Sequence, residues 1–328
     1  MRYILAPLAG FTDAPFRRLC SENGADLTYT EMVSAAGLAY GSSPTRHLME
    51  VMPGEGPVAC QIFGAKESDV ARATRIVHEV SASRPPESRF VEINLNAGCP
   101  MTKVTREGAG AKLVEDPEKI YRLLKAMTEN TSLPVTLKTR LGPHPQKTNV
   151  FEILDAAERA GAKGFALHAR YTSQMHGGPV HYDTLAEVVR RARVPVTGNG
   201  SVVDAASAAA MAATGVSAIM VGRAAMANPF IFNELKTNEA ERNGGDGAAR
   251  MKLCCERHLE YLLAFRDQLA ANFPNDHVPS PDGFASVKMH VHLFRYFNGR
   301  PGAAALRARL NNVRTLAEIR EITNADFR

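Results

Sequence analysis

Cysteine 99 stands between Gly98 and Pro100 in the stretch NAGCPMTKV (96–104), directly after an apolar run. A thiol there has two chemistries open to it: protonated it delivers a proton, ionised it attacks an electrophile. A small buried packing residue is the third reading, because free cysteine is among the most buried side chains. The flanking glycine and proline favour a loop over a packed strand. Lys138 could supply a cation, and Gln61 and His168 could supply hydrogen bonds; a solvated lysine and a structural histidine are the plain alternatives. Two further stretches, TGNGSV (197–202) and VGRAAMANP (221–229), put glycine at a strand end just before a helical segment. Backbone N–H groups and a helix N-terminus can there face a phosphate, although each glycine alone is also an ordinary tight turn. The stretch EGAGAKL (107–113) lacks the third glycine of the dinucleotide fingerprint, so a Rossmann nicotinamide site is not supported.

These residues have to be positioned by something, and the periodicity says what. Short β-branched runs predict strands at 2–7, 27–32, 58–63, 90–95, 134–140, 164–170, 194–200 and 218–223. Helical spacing predicts helices between them, at 67–82, 117–127, 151–160, 182–193 and 204–213. Strand and helix alternating in this way give an α/β fold, either a (β/α)₈ TIM barrel or a doubly wound open sheet. Gln61, Asn96, Cys99, Lys138, Arg140, His168, Arg170, Asn199, Gly200, Gly222 and Arg223 all fall at or after the C-terminal ends of strands. A barrel gathers such ends at one mouth, whereas an open sheet spreads them along an edge, so the barrel is preferred. Across that mouth a phosphate-bearing cofactor such as flavin mononucleotide (FMN) would need an anion grip, a cation near its ring and polar groups at the ring edges.

After about residue 233 the pattern changes. A solvated stretch, NEAERNGGDGAAR (238–250), precedes helical patterns at 249–271, 283–298, 302–312 and 315–322. The expected division is a barrel over 1–235, a linker over 236–248 and a small all-helical domain over 249–328. Between Lys288 and Arg328 there are eight basic and three acidic residues, an excess equal to the whole chain's formal charge of +5. An anionic partner for the C-terminal part fits this concentration. The five cysteines show no CxxC spacing, so neither a metal site nor a structural disulfide is expected. Pro7 and Asp13 interrupt the N-terminal apolar stretch before a signal-peptide core could form, and no uninterrupted apolar run is long enough for a membrane helix. A cytoplasmic protein, with no membrane association, is expected.

Eight motifs in order resemble the tRNA-dihydrouridine synthases: APLAGFTDAPFR (6–17), QIFG (61–64), NLNAGCPMTKV (94–104), GAGAKL (108–113), VTLKTRLG (135–142), LHAR (167–170), VPVTGNG (194–200) and IMVGRAAMANPFIF (219–232). The resemblance implies an FMN barrel followed by a helical tRNA-binding domain, with NADPH as reductant; a monomer is expected, although no residue pattern fixes the oligomeric state. It implies that reduced FMN gives hydride to C6 of a tRNA uridine while Cys99 gives a proton to C5. Pro7, Ala9, Gln61, Lys138, His168, Asn199, Gly200, Gly222 and Arg223 would then contact the cofactor. Asn96, Lys103 and Arg170 would meet the substrate, and Lys288, Arg295, Arg300, Arg307, Arg309 and Arg314 would contact tRNA phosphates. The chain departs from the family pattern at Asn94, where an acidic residue is common, at HARY (168–171) in place of HGRT, and at Met289 in place of a lysine. An FMN enzyme reducing a free pyrimidine leaves the basic C-terminal part without a task; an RNA-binding flavoprotein without activity is the nonenzymatic alternative.

Overall fold

A computed structural model describes residues 1–237, 247–297 and 303–326. Nine strands are present among them: β1 (Arg2–Leu5), β2 (Thr28–Tyr29), β3 (Val33–Ser34), β4 (Val58–Phe63), β5 (Phe90–Ala97), β6 (Val135–Arg140), β7 (Phe165–His168), β8 (Val196–Asn199) and β9 (Ala218–Val221). All pair in parallel, in the order β1-β9-β8-β7-β6-β5-β4-β2, with β3 also on β4. A parallel bridge between Ile4 and Leu27 joins β1 to the start of the second stave, where Leu5 N–H donates to the Leu27 carbonyl at 2.9 Å. With β1 touching both ends of the series, the sheet is a ring of eight staves and the open-sheet alternative is excluded. The strand predicted over 27–32 is broken into β2 and β3. Between them the Thr30 hydroxyl accepts the Gln61 backbone N–H at 3.0 Å, so a side chain replaces a rung of the ladder.

Strand alternation divides the apolar residues between two cores. Tyr3, Leu5, Cys60, Ile62, Ile93, Leu95, Leu137 and Leu167 face outward into a large cluster shared with the helices. Ile4, Ala6, Leu27, Tyr29, Ala59, Ala166, Ala218 and Met220 form a separate cluster inside the ring, four of them alanine. Small interior residues leave room for polar side chains further along the staves.

The surrounding helices follow their apolar faces. In Glu67–Ala82, Val70, Ala73, Thr74 and Val77 are buried, while Glu67 and Asp69 sit at the N-terminal turn, where negative charge is favoured. Helix Ala14–Glu22 starts at Asp13, whose Oδ1 accepts the Phe16 N–H at 3.2 Å, with Pro15 in the first turn. Arg17 on this helix is fully buried against Glu55 at 3.0 Å and also donates to the carbonyls of Thr12 and Glu50. The terminal arginine of the APLAGFTDAPFR motif therefore clamps the first loop of the barrel. Arg17→Ala leaves Glu55 buried without its cation and is expected to cost roughly 3–5 kcal/mol, read as a lower urea midpoint; an unmoved midpoint would remove the clamp.

Helices Gly247–Asn272, Pro281–Tyr296, Ala303–Leu310 and Leu316–Asp326 form the C-terminal part. Their buried residues, from Met251 to Ile322, belong to the same contiguous cluster as the outer barrel core. Polar ties reinforce the join: Tyr261 OH donates to Glu22 at 2.7 Å, the Arg18 guanidinium lies 4.1 Å from the Tyr261 ring centre, and His47 meets Asp276 at 2.7 Å. Among the described residues no helix is long and apolar enough to cross a membrane.

Candidate active site

Parallel register brings the polar residues level at the mouth. Gln61 on β4 lies beside Asn94 on β5, Asn94 beside Thr136 on β6, Asn96 beside Lys138, and His168 on β7 beside Asn199 on β8. Glu92, Asn94 and Asn96 are two residues apart and share the inward face of β5. They nucleate a hydrogen-bonded ladder: Tyr29 OH and Thr136 Oγ1 both donate to Glu92, Asn94 Nδ2 to Thr136 Oγ1 at 2.8 Å, Gln61 Nε2 to Asn94 Oδ1 at 2.7 Å, and Asn96 Nδ2 to Gln61 Oε1 at 2.8 Å. Burial raises the Glu92 carboxyl above its ordinary range. The neutral amide at Asn94 continues this ladder in the place where the family pattern has an acid.

The ladder ends on the cysteine. Asn96 Oδ1 accepts the backbone N–H groups of Gly98 at 3.1 Å and Cys99 at 3.0 Å. Ala111 N–H donates to the Cys99 carbonyl at 2.8 Å, and a Cβ on Gly110 would come within 2.7 Å of that oxygen. The GAGAKL segment is thus a close-packed backing for the cysteine loop. Arg140, fully buried, donates from Nε to the Gly98 carbonyl at 2.7 Å and from Nη1 to the carbonyls of Tyr171 and Met175 at 3.1 and 2.7 Å. Cys99 remains partly exposed, with Lys103 exposed on the short helix Thr102–Thr105 that follows.

Positive charge collects around this thiol. Lys138 Nζ donates to Asn199 Oδ1 at 3.1 Å, and Asn199 Nδ2 is fixed on the Met220 carbonyl at 2.8 Å. Burial, then the neighbouring Arg140 charge, push the Lys138 amine down to about 7, against an opposing effect of Cys99. Burial likewise brings Arg140 down to about 10. Burial and the charges of Lys138, Arg140 and Arg170 keep His168 neutral. Because Arg170 Nη1 can only donate to His168 Nε2, at 3.2 Å, the imidazole carries its proton on Nδ1 and presents a donor there. Arg170 also donates to the Gly178 carbonyl at 2.8 Å and to Ser201 Oγ at 2.7 Å, and Arg223 Nη2 to the His176 carbonyl at 3.0 Å. Among the described residues none of Lys138, Arg140, Arg170 and Arg223 makes an ion pair with a carboxylate. Such a cluster suits a ligand that brings negative charge.

Gly200 sits beside it at φ +140°, where a Cβ would meet His168 Cδ2 at 3.3 Å and Arg170 Nη1 at 3.6 Å. Gly222 precedes the short helix Arg223–Ala227, close to Ala6. Pro7 and the exposed Ala9 lie on the first loop, beside Gly10, whose N–H donates to Glu31. The fold therefore gathers Gln61, Asn96, Cys99, Lys138, His168, Arg170, Asn199 and Gly200 at one mouth, with Arg223 at its rim.

Two of these spend their polar groups on the protein itself. Arg170 spends its guanidinium on the Gly178 carbonyl, Ser201 and His168. Asn96 spends its carboxamide on the cysteine loop, Gln61 and Met32 Sδ, so it positions the thiol. Arg140, which strand-end reading noted without assigning it a part, ties the cysteine loop to the 171–175 segment. Its signal is the alternation of Lys138 with Arg140 at the end of an apolar strand. Arg140→Lys cannot hold three carbonyls in a fork and is expected to lower any turnover at this mouth by roughly 10- to 100-fold with the fold retained; unchanged turnover would show that the loop holds without it.

The predicted phosphate contacts do not form one group. Arg295 lies 5.7 Å from the Phe11 ring centre and lines, with Arg307, His290, Val291 and Phe294, an open cleft of about 380 Å³ facing the first barrel loop. Lys288 instead reaches to 3.6 Å from Asp13, and the Asp13 and Glu31 charges raise its amine above the ordinary value despite burial, which acts the other way. Arg309 faces Glu321 at 3.8 Å, and Arg314 donates to the carbonyls of Asn311 and Val313. Met289 is fully buried and packs in the core. Arg300 lies outside the described residues.

The model of the dihydrouridine synthase family matches residues 4–327. Among curated relatives, tRNA-dihydrouridine synthase B of Klebsiella pneumoniae is 37% identical over 236 residues, 72% of this chain and 71% of its own. The protein of the same name from Escherichia coli K12 is 36% identical over the same shares, and a probable tRNA-dihydrouridine synthase of Treponema pallidum is 36% identical over 70% of this chain and 69% of its own. A match across nearly the whole chain, at these identities and on this barrel, means that the chain belongs to the dihydrouridine synthase family.

Proposed function

We propose that this chain reduces a uridine of tRNA to 5,6-dihydrouridine, with FMN held across the barrel mouth and NADPH as the reductant. The observation that carries the reading is a barrel mouth that holds a partly exposed cysteine beside Lys138 and Arg140, with Arg170 and Arg223 further along, none of the four paired with a carboxylate among the described residues. The donor set fits an anionic flavin: an ammonium at Lys138, guanidiniums at Arg170 and Arg223, a neutral imidazole donor at His168 and a side-chain-free approach at Gly200. The chemistry such a flavin would supply when bound there and reduced is a hydride for C6 of the uracil ring. Cys99 Sγ gives its proton to C5, and the carbanionic character left at C5 by the arriving electron pair is quenched. Asn96 and Arg140 hold the cysteine loop still while this happens, and Lys138 balances negative charge on the cofactor.

A uracil inside folded RNA has to be unstacked to reach such a pocket. Residues 1–235 would form the catalytic barrel and 249–328 the tRNA-holding helical part, with 236–248 joining them; residues 238–246 of that join lie outside the described residues. Arg295 and Arg307 beside Phe11 are the best placed for RNA phosphate or base contacts, with the exposed Lys103 on the helix that follows the thiol loop as a further candidate. A tRNA substrate fits a cytoplasmic enzyme acting as a monomer.

Purified chain incubated with FMN, NADPH and unmodified tRNA should yield a nucleoside two hydrogens heavier than uridine. Reduction of a free pyrimidine with tRNA left unchanged would replace this reading with the small-substrate one, and FMN binding without NADPH oxidation would leave only a binding protein. Replacing Arg295 and Arg307 together by alanine should flatten the log-affinity against log-salt slope for tRNA by about 1 to 2, since each lost phosphate contact removes about 0.7–0.9. An unaltered slope would place the RNA surface elsewhere.

A further inference from the structure

Asp13 does more than start its helix. Its Oδ1 caps Phe16, but Oδ2 is buried with no hydrogen-bond partner, and Lys288 Nζ stands off at 3.6 Å. Two histidines converge on the same point from the C-terminal helices: His258 from Gly247–Asn272 and His292 from Pro281–Tyr296, both 0% exposed. His258 Nδ1 is hydrogen-bonded to the Tyr296 hydroxyl at 2.9 Å, which leaves its Nε2 buried and unmet; neither ring nitrogen of His292 has a partner. One ligand atom from each of the three residues lies within 4.8 Å of the others. The two imidazoles meet edge to face with centres 4.3 Å apart, and Phe11 and Phe16 flank His292 at 5.4 and 5.0 Å.

Buried polar atoms nearly always have partners, and here four lack one at a single place: Asp13 Oδ2, His258 Nε2 and both nitrogens of His292. One shared ion accounts for three of them at once, Asp13 Oδ2, His258 Nε2 and one nitrogen of His292, and leaves the other His292 nitrogen as an N–H among apolar and aromatic neighbours. We propose that Asp13, His258 and His292 form a binding site for one divalent transition-metal ion of the zinc type, which staples the first barrel loop to the helical part. One carboxylate and two imidazoles are a donor set that zinc-type ions accept. Around a tetrahedral ion with bonds of about 2.0–2.1 Å the ligand atoms stand about 3.3 Å apart, so small side-chain rotations close the set. The unmet Nε2 of His258 and the unmet nitrogens of His292 leave a lone pair on each ring for a metal. Tyr296 orients His258 through the far nitrogen, as outer partners of metal-bound histidines do. Lys288 is the cation facing Asp13 and its charge also reaches His292, while Glu31 interacts with Asp13, Lys288 and Arg17. Close CxxC or HxxxH spacing does not reveal the set, because its members come from three elements far apart in the chain.

The proposal is independent of the reaction at Cys99. Full-length protein should carry about one metal ion per chain by mass spectrometry of the acid digest, and chelator-stripped protein should take up Zn²⁺ or Co²⁺ stoichiometrically. Co²⁺ should show visible ligand-field absorption without a thiolate charge-transfer band, since no cysteine belongs to the set. Stripping should lower the melting temperature and Zn²⁺ should restore it. His292→Ala, and Asp13→Asn, which keeps the helix cap, should hold no ion while retaining the helical circular dichroism; Tyr296→Phe should bind roughly 10- to 100-fold more weakly. Wild-type protein that takes up neither ion overturns the site whatever the variants do, and leaves ordered water as the shared partner. Equal uptake by wild type and His292→Ala overturns it as well.

Discussion

Cys99→Ala is expected to lower dihydrouridine formation by roughly 10²- to 10⁴-fold while FMN content and tRNA affinity stay within about twofold of wild type, the loss typical of a missing general acid. The separation is expected because the loop does not depend on the thiol. Its shape rests on backbone groups: Gly98 and Cys99 N–H on Asn96 Oδ1, the Gly98 carbonyl under Arg140, and the Cys99 carbonyl on Ala111 N–H. Alanine therefore removes the proton donor and little else. Single-turnover reaction of prereduced enzyme with tRNA measures the step directly. Full-rate reduction by the variant would take Cys99 out of the mechanism; loss of flavin as well would show that the substitution had disturbed the mouth.

The second large effect is expected at Lys138. Its amine stands at about 7 in the flavin-free chain because burial, and then Arg140, disfavour the charged form. An anionic flavin beside it favours the charged form, so its pKa rises on binding. Below pH 7 the amine is already charged and contributes no pH dependence. Above pH 7 a neutral amine must take up a proton as flavin binds, so log affinity should fall with a slope approaching −1 per pH unit. The stability of the flavin-free chain runs the other way: the unfolded lysine, at about 10.4, holds its proton more tightly, so stability is lost as pH falls from about 10 towards 7. Lys138→Met should remove the affinity slope and weaken flavin by roughly 10- to 150-fold, equivalent to about 1.5–3 kcal/mol for a charge-assisted hydrogen bond. Fluorescence titrations of both proteins from pH 6 to 9 decide it, because FMN's own phosphate titration is common to the two and cancels in the difference. An identical slope in the variant would assign the proton to another group.

Several features were legible in the residues alone. Period-two apolar runs separated by helical spacing mark the staves, and all eight are present, because a strand buried on both faces has to be written in β-branched and apolar residues. The break after Tyr29 was not legible, since Thr30 reads locally as a strand residue and its hydroxyl takes over a ladder rung only when Gln61 is alongside. Glu92, Asn94 and Asn96 show the limit well. Their spacing says that they share a face, but whether that face is water or a barrel interior depends on β4 and β6 in register at either side.

The same division runs through the functional residues. Sequence by itself determined the alternating α/β pattern, the loop setting of Cys99, the glycine turns after the last two staves and the excess of positive charge near the C-terminus, because each follows from residue type and short-range spacing. Tertiary structure alone decided where the polar and charged groups go: Arg170 to the Gly178 carbonyl, Asn96 onto the cysteine loop, Lys288 inward to Asp13, and Arg295 with Arg307 out to a cleft. It alone brought Asp13, His258 and His292 together. A side chain's partners depend on strand register and on which helix face meets the barrel, and those are set by packing across the whole chain, where local sequence carries no record of the residue on the other side.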